Sequence, residues 1–559
     1  MSYRTKMAAG LCAMSLFGLG VAACGSSGSS PSSSSSSATL TMESSPSGPI
    51  TRDFNPFSPT SAANILGSTA MIYEPLLQFD LLKPGTTYPW LATSYAWSNG
   101  GRTITFQIRS GVKYSNGTPF TAADVAWEFN LEKKFPTANV WGLPITSASS
   151  SGSSAVINFS AAAYSLLYYI AGETYMVDPS VYDKAANPFT YADPNPIGTG
   201  PYMLSTFSSS GVTLTKNPHY WQAGEPKVAK LDFPAYDSNT TANLDLEQGT
   251  LDWGGNFVSD IKSAYVAKDP SANHYWDAPL QTEAIIPNLD KFPFNSLAVR
   301  EAVAVGVNRT VISDDGEDYQ QPPAVGPGTL TGLTLPIDAS YLTPQTDAYA
   351  TTYNTAEAKK ILEAAGWKMG SNGYFVSPSG QTLAFTFVDY SGYTDFLTDD
   401  QIMASELKAA GMDVTVSAVS VTDWTTDLGD GNFQAIAHWG TSGPSPYYLF
   451  YNWLDTALAK PIGQVATGDY ERFDSSQADA YLSSFSSTDN TATQKADMVG
   501  LEKIVATQLP VIPLFYGVAW DEYNTSKFTG WPTASNEYAP GEPSQPFNEL
   551  TVLRLRPVS

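Results

Sequence analysis

Both cysteines of the chain, Cys12 and Cys24, fall within its first 24 residues. Everything downstream has to fold without a disulfide, so size and a buried apolar core must hold it together. A short basic start, Arg4 and Lys6, precedes an apolar run over residues 7–23 that ends in Val21-Ala22-Ala23. A basic head, an apolar middle and small residues before a cut describe a secretory signal.

A cysteine directly after those small residues looks like a bacterial lipobox, in which Cys24 is diacylated and becomes the mature first residue. The apolar run is broken by Gly10, Ser15, Gly18 and Gly20. It is also shorter than the roughly 20 residues a membrane span needs. The expectation is a lipoprotein signal peptide over residues 1–23 and a flexible Ser/Gly-rich linker over 24–37. The protein would then be extracytoplasmic, anchored through lipid to the outer face of the cell membrane.

Removing the first 23 residues leaves 536. That exceeds what one core usually serves, so two or three domains are expected. The net charge is −24, yet charged residues make up only 15% of the chain. An acidic chain with so few Lys and Arg will not bind nucleic acid through phosphates, nor adsorb to anionic lipid. Aromatics are plentiful, with 13 Trp, 31 Tyr and 26 Phe. Tyr and Trp suit a cleft that buries a ligand with both apolar and polar surface.

Strand and helix signals alternate, an α/β or α+β pattern. Residues 38–42 read as a strand. Residues 103–109 alternate apolar and polar, a half-buried strand. Thr121-Ala-Ala-Asp124 is a capping box that opens a helix to about residue 134. A short helix and then a strand are expected over 244–253. Val299, Ala302, Val303 and Gly306 share one face of a helix expected over 296–312. Asn354 caps another helix that carries Ala358, Ile361, Leu362 and Ala365 on one stripe and stops at Gly366. Residues 383–387 and 414–416 read as strands flanking a helix over 401–410.

Five ordered blocks carry a family resemblance. The segment 90–129 holds Leu-Ala-x-Ser-Tyr-x-Trp and Thr-Phe-x-Ile-Arg-x-Gly-Val-Lys-Tyr-Ser-Asn-Gly-x-Pro-Phe-Thr-Ala-x-Asp-Val. Gly198-Thr-Gly-Pro-Tyr202 with Asn217-Pro-His-Tyr-Trp221 forms the second block. Arg300-Glu-Ala-Val with Val307-Asn-Arg309 forms the third. Ala356-Glu-Ala-Lys-Lys-Ile-Leu-Glu-Ala-Ala-Gly-Trp367 and Leu509-Pro-Val-Ile-Pro-Leu514 complete the set. Together they resemble the family 5 extracellular solute-binding proteins of ABC importers, the oligopeptide, dipeptide and nickel class. The resemblance implies a two-lobed α/β fold of the type II periplasmic-binding-protein kind, in its large cluster C form, with a central ligand cleft. Lobe I would span 38–280, with an extra subdomain at about 61–190. Lobe II would span 281–518, and 519–559 would return to lobe I. Crossings between lobes are expected near residues 275–288 and 511–520. The implied partners are a small-molecule solute and the importer's permease subunits. The implied protein is a monomer without cofactor or enzymatic activity.

The resemblance also points to the cleft. Peptide-binding members carry an aspartate three residues after a cleft tryptophan, where it pairs with the peptide ammonium. Here Trp439-Gly440-Thr441-Ser442 places Ser442 at that position, and no carboxylate occurs over residues 433–453. A buried unpaired ammonium is costly. An oligopeptide-type solute is expected on the family pattern, and an oligosaccharide on Ser442 and the aromatics. Trp253, Asn256 and Phe257 are candidates for stacking and hydrogen bonding, with Trp424, Tyr447 and Tyr448 behind them. Tyr73, Phe54 and Asn55 sit in segments expected to approach the cleft. His219, His274 and His438 lack metal-ligand spacing. Asp314-Asp-Gly-Glu-Asp318 lacks the spacing of a calcium loop. No Gly-x-Ser-x-Gly is present. A surface hydrolase built on a spatial carboxylate pair is left open by sequence alone.

Overall fold

The structure, a computed structural model, describes residues 38–544 and 546–558. Cys24, the expected signal and the whole of the expected linker lie outside the described residues. Among the described residues no helix is long and apolar enough to cross a membrane.

The fold has two lobes. One is built on a five-stranded sheet, ordered Asp413–Val419, Ala384–Tyr390, Ala435–His438, Ala278–Pro287, Ile512–Ala519. The first two strands run parallel over seven residue pairs. The last two are antiparallel, and they come from the two segments where crossings are expected. Helices Leu297–Gly306, Thr355–Ala364 and Thr394–Ala409 cover this sheet. Val299, Val303, Leu362, Met403 and Leu407 meet Phe385 and Phe387 in one core. Each such large apolar side chain contributes about 1.5–3 kcal/mol on burial.

The other lobe holds a four-stranded sheet ordered Thr39–Thr41, Lys230–Pro234, Gly211–Lys216, Tyr202–Ser208. A three-stranded sheet lies in it too, with Glu522–Asn524 between Trp253–Gly254 and Asn273–Tyr275. A third region carries an antiparallel sheet of Ala92–Ser98, Thr103–Ile108, Ser154–Phe159 and Ile145–Ser151, packed on helix Ala122–Lys134.

Local chemistry explains many boundaries. Helix Ala122–Lys134 starts with the expected capping box, Thr121 with Asp124. The Asn354 side chain accepts from Glu357 N, and Gly366 takes a positive φ of 86° just past that helix. Other expectations need correction. The helix expected over 296–312 stops at Gly306, because Val307 is extended and Asn308 caps a separate turn, Arg309–Val311. The helix expected from 401 begins at Thr394. The helix expected from 244 begins at Asn239, after a Ser238 cap.

The lobes touch. Tyr390 Oη donates to Asp237 O at 2.8 Å, and Asn239 Nδ2 donates to Asp395 Oδ1 at 3.2 Å. On the opposite side Tyr168 and Tyr169 pack edge-on against Tyr448, with centroids 5.4 and 4.8 Å apart. A cavity of about 660 Å³ lies between these contacts.

Candidate ligand-binding cavity

The chain leaves the Ala435–His438 strand at the cavity wall, so Trp439, Gly440, Thr441 and Ser442 line it. Gly440 is required by close approach: a Cβ there would sit 2.5 Å from both Thr282 O and Leu449 Cδ1. Trp439 belongs to an aromatic cluster. It stacks on His438 at 4.3 Å and lies near-parallel to Phe396 at 6.3 Å, while Tyr393 meets it edge-on at 5.9 Å. Trp424, on helix Val421–Asp430, stacks on His438 at 5.5 Å. Burial holds His438 down to about 4, so its ring is neutral at ordinary pH.

The opposite wall carries Asn256 and Phe257, with Phe257 edge-on to Trp520 at 6.0 Å. The third region contributes Trp141, stacked on Tyr169 at 4.5 Å. Four acids also line the cavity: Glu173, Glu283, Asp395 and Glu542. Burial raises all four. Glu173 and Glu542 are pushed up to about 7. Asp395 reaches only about 6, because backbone N–H groups at the start of its helix and Asn239 offset the burial. Glu283 goes well above the ordinary carboxylate range, with Glu317 and Asp395 adding to burial. No Lys or Arg stands among the described lining residues.

Five buried polar atoms on this wall have no hydrogen-bond partner within the described protein: Asn239 Oδ1, Asn256 Oδ1, Gln321 Oε1, Glu283 Oε2 and Trp424 Nε1. The three carboxamides share one cause. Each turns its NH₂ to a buried carboxyl: Asn256 to Glu43 at 3.2 Å, Gln321 to Glu317 at 2.8 Å, Asn239 to Asp395 at 3.2 Å. Each amide oxygen is thereby left buried without a partner, behind the cavity surface. An unpaired buried polar group costs about 1–3 kcal/mol.

Not every residue singled out from sequence reaches the cavity. Trp253 is wholly buried, and its indole N–H donates to Asp521 Oδ1 and Gly541 O, both at 2.8 Å. It pairs with Tyr523 in the small sheet, and only the turn after Gly254 brings Asn256 and Phe257 to the wall. Tyr73 is buried with its hydroxyl donating to Asp193 Oδ2 at 2.9 Å and Phe54 O at 3.2 Å. Phe54 packs against Phe207. Asn55 Nδ2 holds the carbonyls of Pro188, Phe189 and Tyr191. These residues fix the lobe's interior instead. Trp424 lines the cavity, while Tyr447 and Tyr448 pack beneath it. The acid-free stretch 433–453 does not make the cavity acid-free, since Glu283, Asp395, Glu173 and Glu542 arrive from other segments. Glu283 had one visible signal: it is the single acid in an otherwise uncharged strand, Ala278–Pro287.

Comparison with known proteins places this architecture. Residues 86–460 match the family model for bacterial extracellular solute-binding proteins, family 5, middle region. The chain belongs to this family. This family 5 protein is 27% identical to the nickel-binding periplasmic protein of Escherichia coli K12 over 399 residues, 67% of this chain and 72% of the relative. It is 24% identical to the glutathione-binding protein GsiB of Shigella dysenteriae over 447 residues, covering 76% and 79%. In fold it is similar to a mannohexaose-bound periplasmic oligopeptide-binding protein of an oligopeptide ABC transporter from Thermotoga maritima. The TM-score is 0.84 at 24% identity, over 93% of this chain and 98% of that one. The Bacillus subtilis oligopeptide-binding protein in complex with a nonapeptide matches with a TM-score of 0.77 at 18% identity, covering 93% and 99%. The family 5 protein is thus a bacterial extracellular solute-binding protein.

Proposed function

We propose that this protein captures a neutral, hydroxyl-rich solute, an oligosaccharide, and delivers it to an ABC importer. One observation carries the reading: the wall is lined by the aromatic side chains of Trp141, Phe257, Trp424 and Trp439, and no described lining residue is Lys or Arg. Sugar rings stack on aromatic faces, and their hydroxyls donate to amide oxygens. A free peptide would bury its terminal carboxylate without a cation, a cost of several kcal/mol. A nickel ion has little to hold it: among the described residues no group of three or more His, Cys, Asp or Glu is placed to bind a metal. In this reading Trp439, Gly440, Thr441, Ser442, Asn256 and Phe257 touch the solute. Trp253, Tyr73, Phe54 and Asn55 support the wall.

Capture works by lobe closure. Lobe I is taken as 38–280 with 519–559 and an extra subdomain near 61–190, and lobe II as 281–518. The paired strands Ala278–Pro287 and Ile512–Ala519 form the hinge, and the solute favours closure by its differential affinity for the closed form. The protein acts as a monomer tethered through lipid at Cys24.

Isothermal titration tests the reading, with mannohexaose and shorter mannose oligomers, a nonapeptide with free termini, and Ni²⁺. Saturable binding of a sugar oligomer alone is expected. Tight binding of the free-ended peptide with no response to any sugar overturns it.

A further inference from the structure

Trp141 was not among the residues singled out from sequence, yet the structure gives it a built setting. It sits in a tight turn that Asn139 pins from both directions. Asn139 Nδ2 donates to Leu143 O and Oδ1 accepts from Leu143 N, both at 2.8 Å. Gly142 closes the turn with a φ of 64°. The Trp141 indole N–H donates to Glu173 O at 3.3 Å. Tyr169 takes one face of the ring, 4.5 Å away and 7° from parallel. So held, the half-buried side chain still keeps surface toward the cavity. A ring fixed in advance loses little rotamer freedom when a solute meets it.

The facing side comes from helix Tyr447–Leu454, on which Tyr448 and Asn452 stand one turn apart on the same side. Tyr448 docks on the third region. Its Oη accepts from Tyr168 N at 3.2 Å, and its ring meets Tyr169 edge-on. Next to it, a Cβ on Gly142 would lie 3.6 Å from Tyr451 Oη, so the Trp141 turn reaches this helix as well. Asn452 lines the cavity, half-buried. Its carboxamide has no hydrogen-bond partner among the described residues. Gly468 leaves room for that amide, since a Cβ there would lie 2.8 Å from Asn452 Nδ2.

Trp439 belongs to the other side of the cavity. Its ring neighbours are Tyr393, Phe396, Trp424 and His438, and Phe396 adjoins the Asn239–Asp395 contact between the lobes. Trp141 stands at the opposite contact, through Tyr169 and Tyr448. The cavity therefore holds two separate aromatic platforms.

We propose that Trp141 and Asn452 form a second solute subsite, where a sugar unit other than the one on Trp439 lies against the indole and exchanges hydrogen bonds with the amide. The proposal rests on the oligosaccharide reading. A carboxamide both donates and accepts, which matches a sugar hydroxyl. The two residues face each other across the Tyr169–Tyr448 contact, so the subsite is complete only with the lobes closed. It selects for length, because a short oligomer held at Trp439 leaves it empty.

The test is calorimetric titration of wild type, Trp141→Ala, Trp141→Phe and Asn452→Ala with mannose oligomers of increasing length up to mannohexaose. Wild type is expected to bind more tightly as the oligomer lengthens. Trp141→Ala should lose about tenfold or more in affinity for mannohexaose, the scale of a truncated aromatic anchor, and less than about twofold for the shortest oligomer that binds. Asn452→Ala should show the same pattern with a loss of about fivefold, the scale of one hydrogen bond. Trp141→Phe keeps a flat ring and should hold mannohexaose within about threefold of wild type, which a purely structural tryptophan would not require. Thermal unfolding without solute confirms that each variant is folded. Unchanged mannohexaose affinity in folded Trp141→Ala overturns the subsite, and equal losses at every length overturn its selection for length. If no mannose oligomer binds wild type, the sugar reading fails by itself. The same proteins titrated with the nonapeptide then decide the subsite, which stands only if Trp141→Ala weakens that peptide by about tenfold.

Discussion

Raising the pH should destabilise this fold, and Glu128 shows by how much. It sits on the buried face of helix Ala122–Lys134, fully buried. Oε2 accepts from Val177 N at 3.2 Å, and Oε1 has no partner. One turn on, Glu132 is buried too, and its carboxyl is raised by burial and then by Glu128. The nearby Lys133 and Lys134 are exposed. Burial lifts Glu128 from 4.5 to about 8. A group whose folded pKa lies above its unfolded value stabilises the fold fully below the unfolded pKa and loses that contribution as pH climbs through the folded one. For this group the window runs from about 4.5 to about 8. At about 1.4 kcal/mol per unit, the whole contribution is about 5 kcal/mol. Urea unfolding of wild type and Glu128→Gln across that window measures it. The wild-type unfolding free energy should fall more steeply by about 1.4 kcal/mol per pH unit, whatever constant offset the amide introduces. Parallel profiles would show that Glu128 does not titrate in this window, and the reasoning fails.

Two substitutions separate cavity from frame. Trp253→Phe strips an indole N–H from Asp521 and the Gly541 carbonyl, and should cost about 1–3 kcal/mol of stability by urea unfolding. Solute affinity should move by less than about twofold; a large loss of affinity at full stability would place this ring at the solute after all. Trp439→Ala should weaken sugar binding by about 2 kcal/mol, the scale of an aromatic anchor, read by calorimetry. Unchanged affinity would reduce Trp439 to a packing element.

The parts legible in the sequence were those fixed by neighbours along the chain. The Thr121–Asp124 capping box and the Asn354 cap depend on residues three apart, and both helices start where those residues stand. Alternation over 103–108 gives the observed strand, with Ile104, Phe106 and Ile108 buried. The segment after His438 was singled out through the family resemblance, not through a local pattern, and it lines the cavity. Long-range packing set the rest. The helical pattern over 296–312 continues through Val307, yet the chain breaks there so that Arg309 can reach the Pro513 carbonyl, 204 positions away. Trp253 and Asn256 are three residues apart, and only the pairing of Trp253 with Tyr523 decides which of them faces inward. Glu283 and Asp395 come from segments 112 positions apart in numbering, and no local pattern announces that they share a wall.

One scarcity links the fold to its cavity. With 29 Lys and Arg against 53 Asp and Glu, most buried acids here have no cation to pair with. They are met instead by amides and by one another: Glu43 by Asn256, Asp395 by Asn239, Glu317 by Gln321 and Asp399. A Lys or Arg in place of each amide would neutralise the acid and direct only donors outward. An amide satisfies the acid with its NH₂ and must turn its oxygen the other way. At Asn239, Asn256 and Gln321, all beside the cavity, that oxygen is left buried without a partner. The unpartnered amide oxygens beside the cavity are thus a consequence of how the interior carboxyls are held, and replacing any one of the three amides by a cation would change the charge of that interior and its stability together.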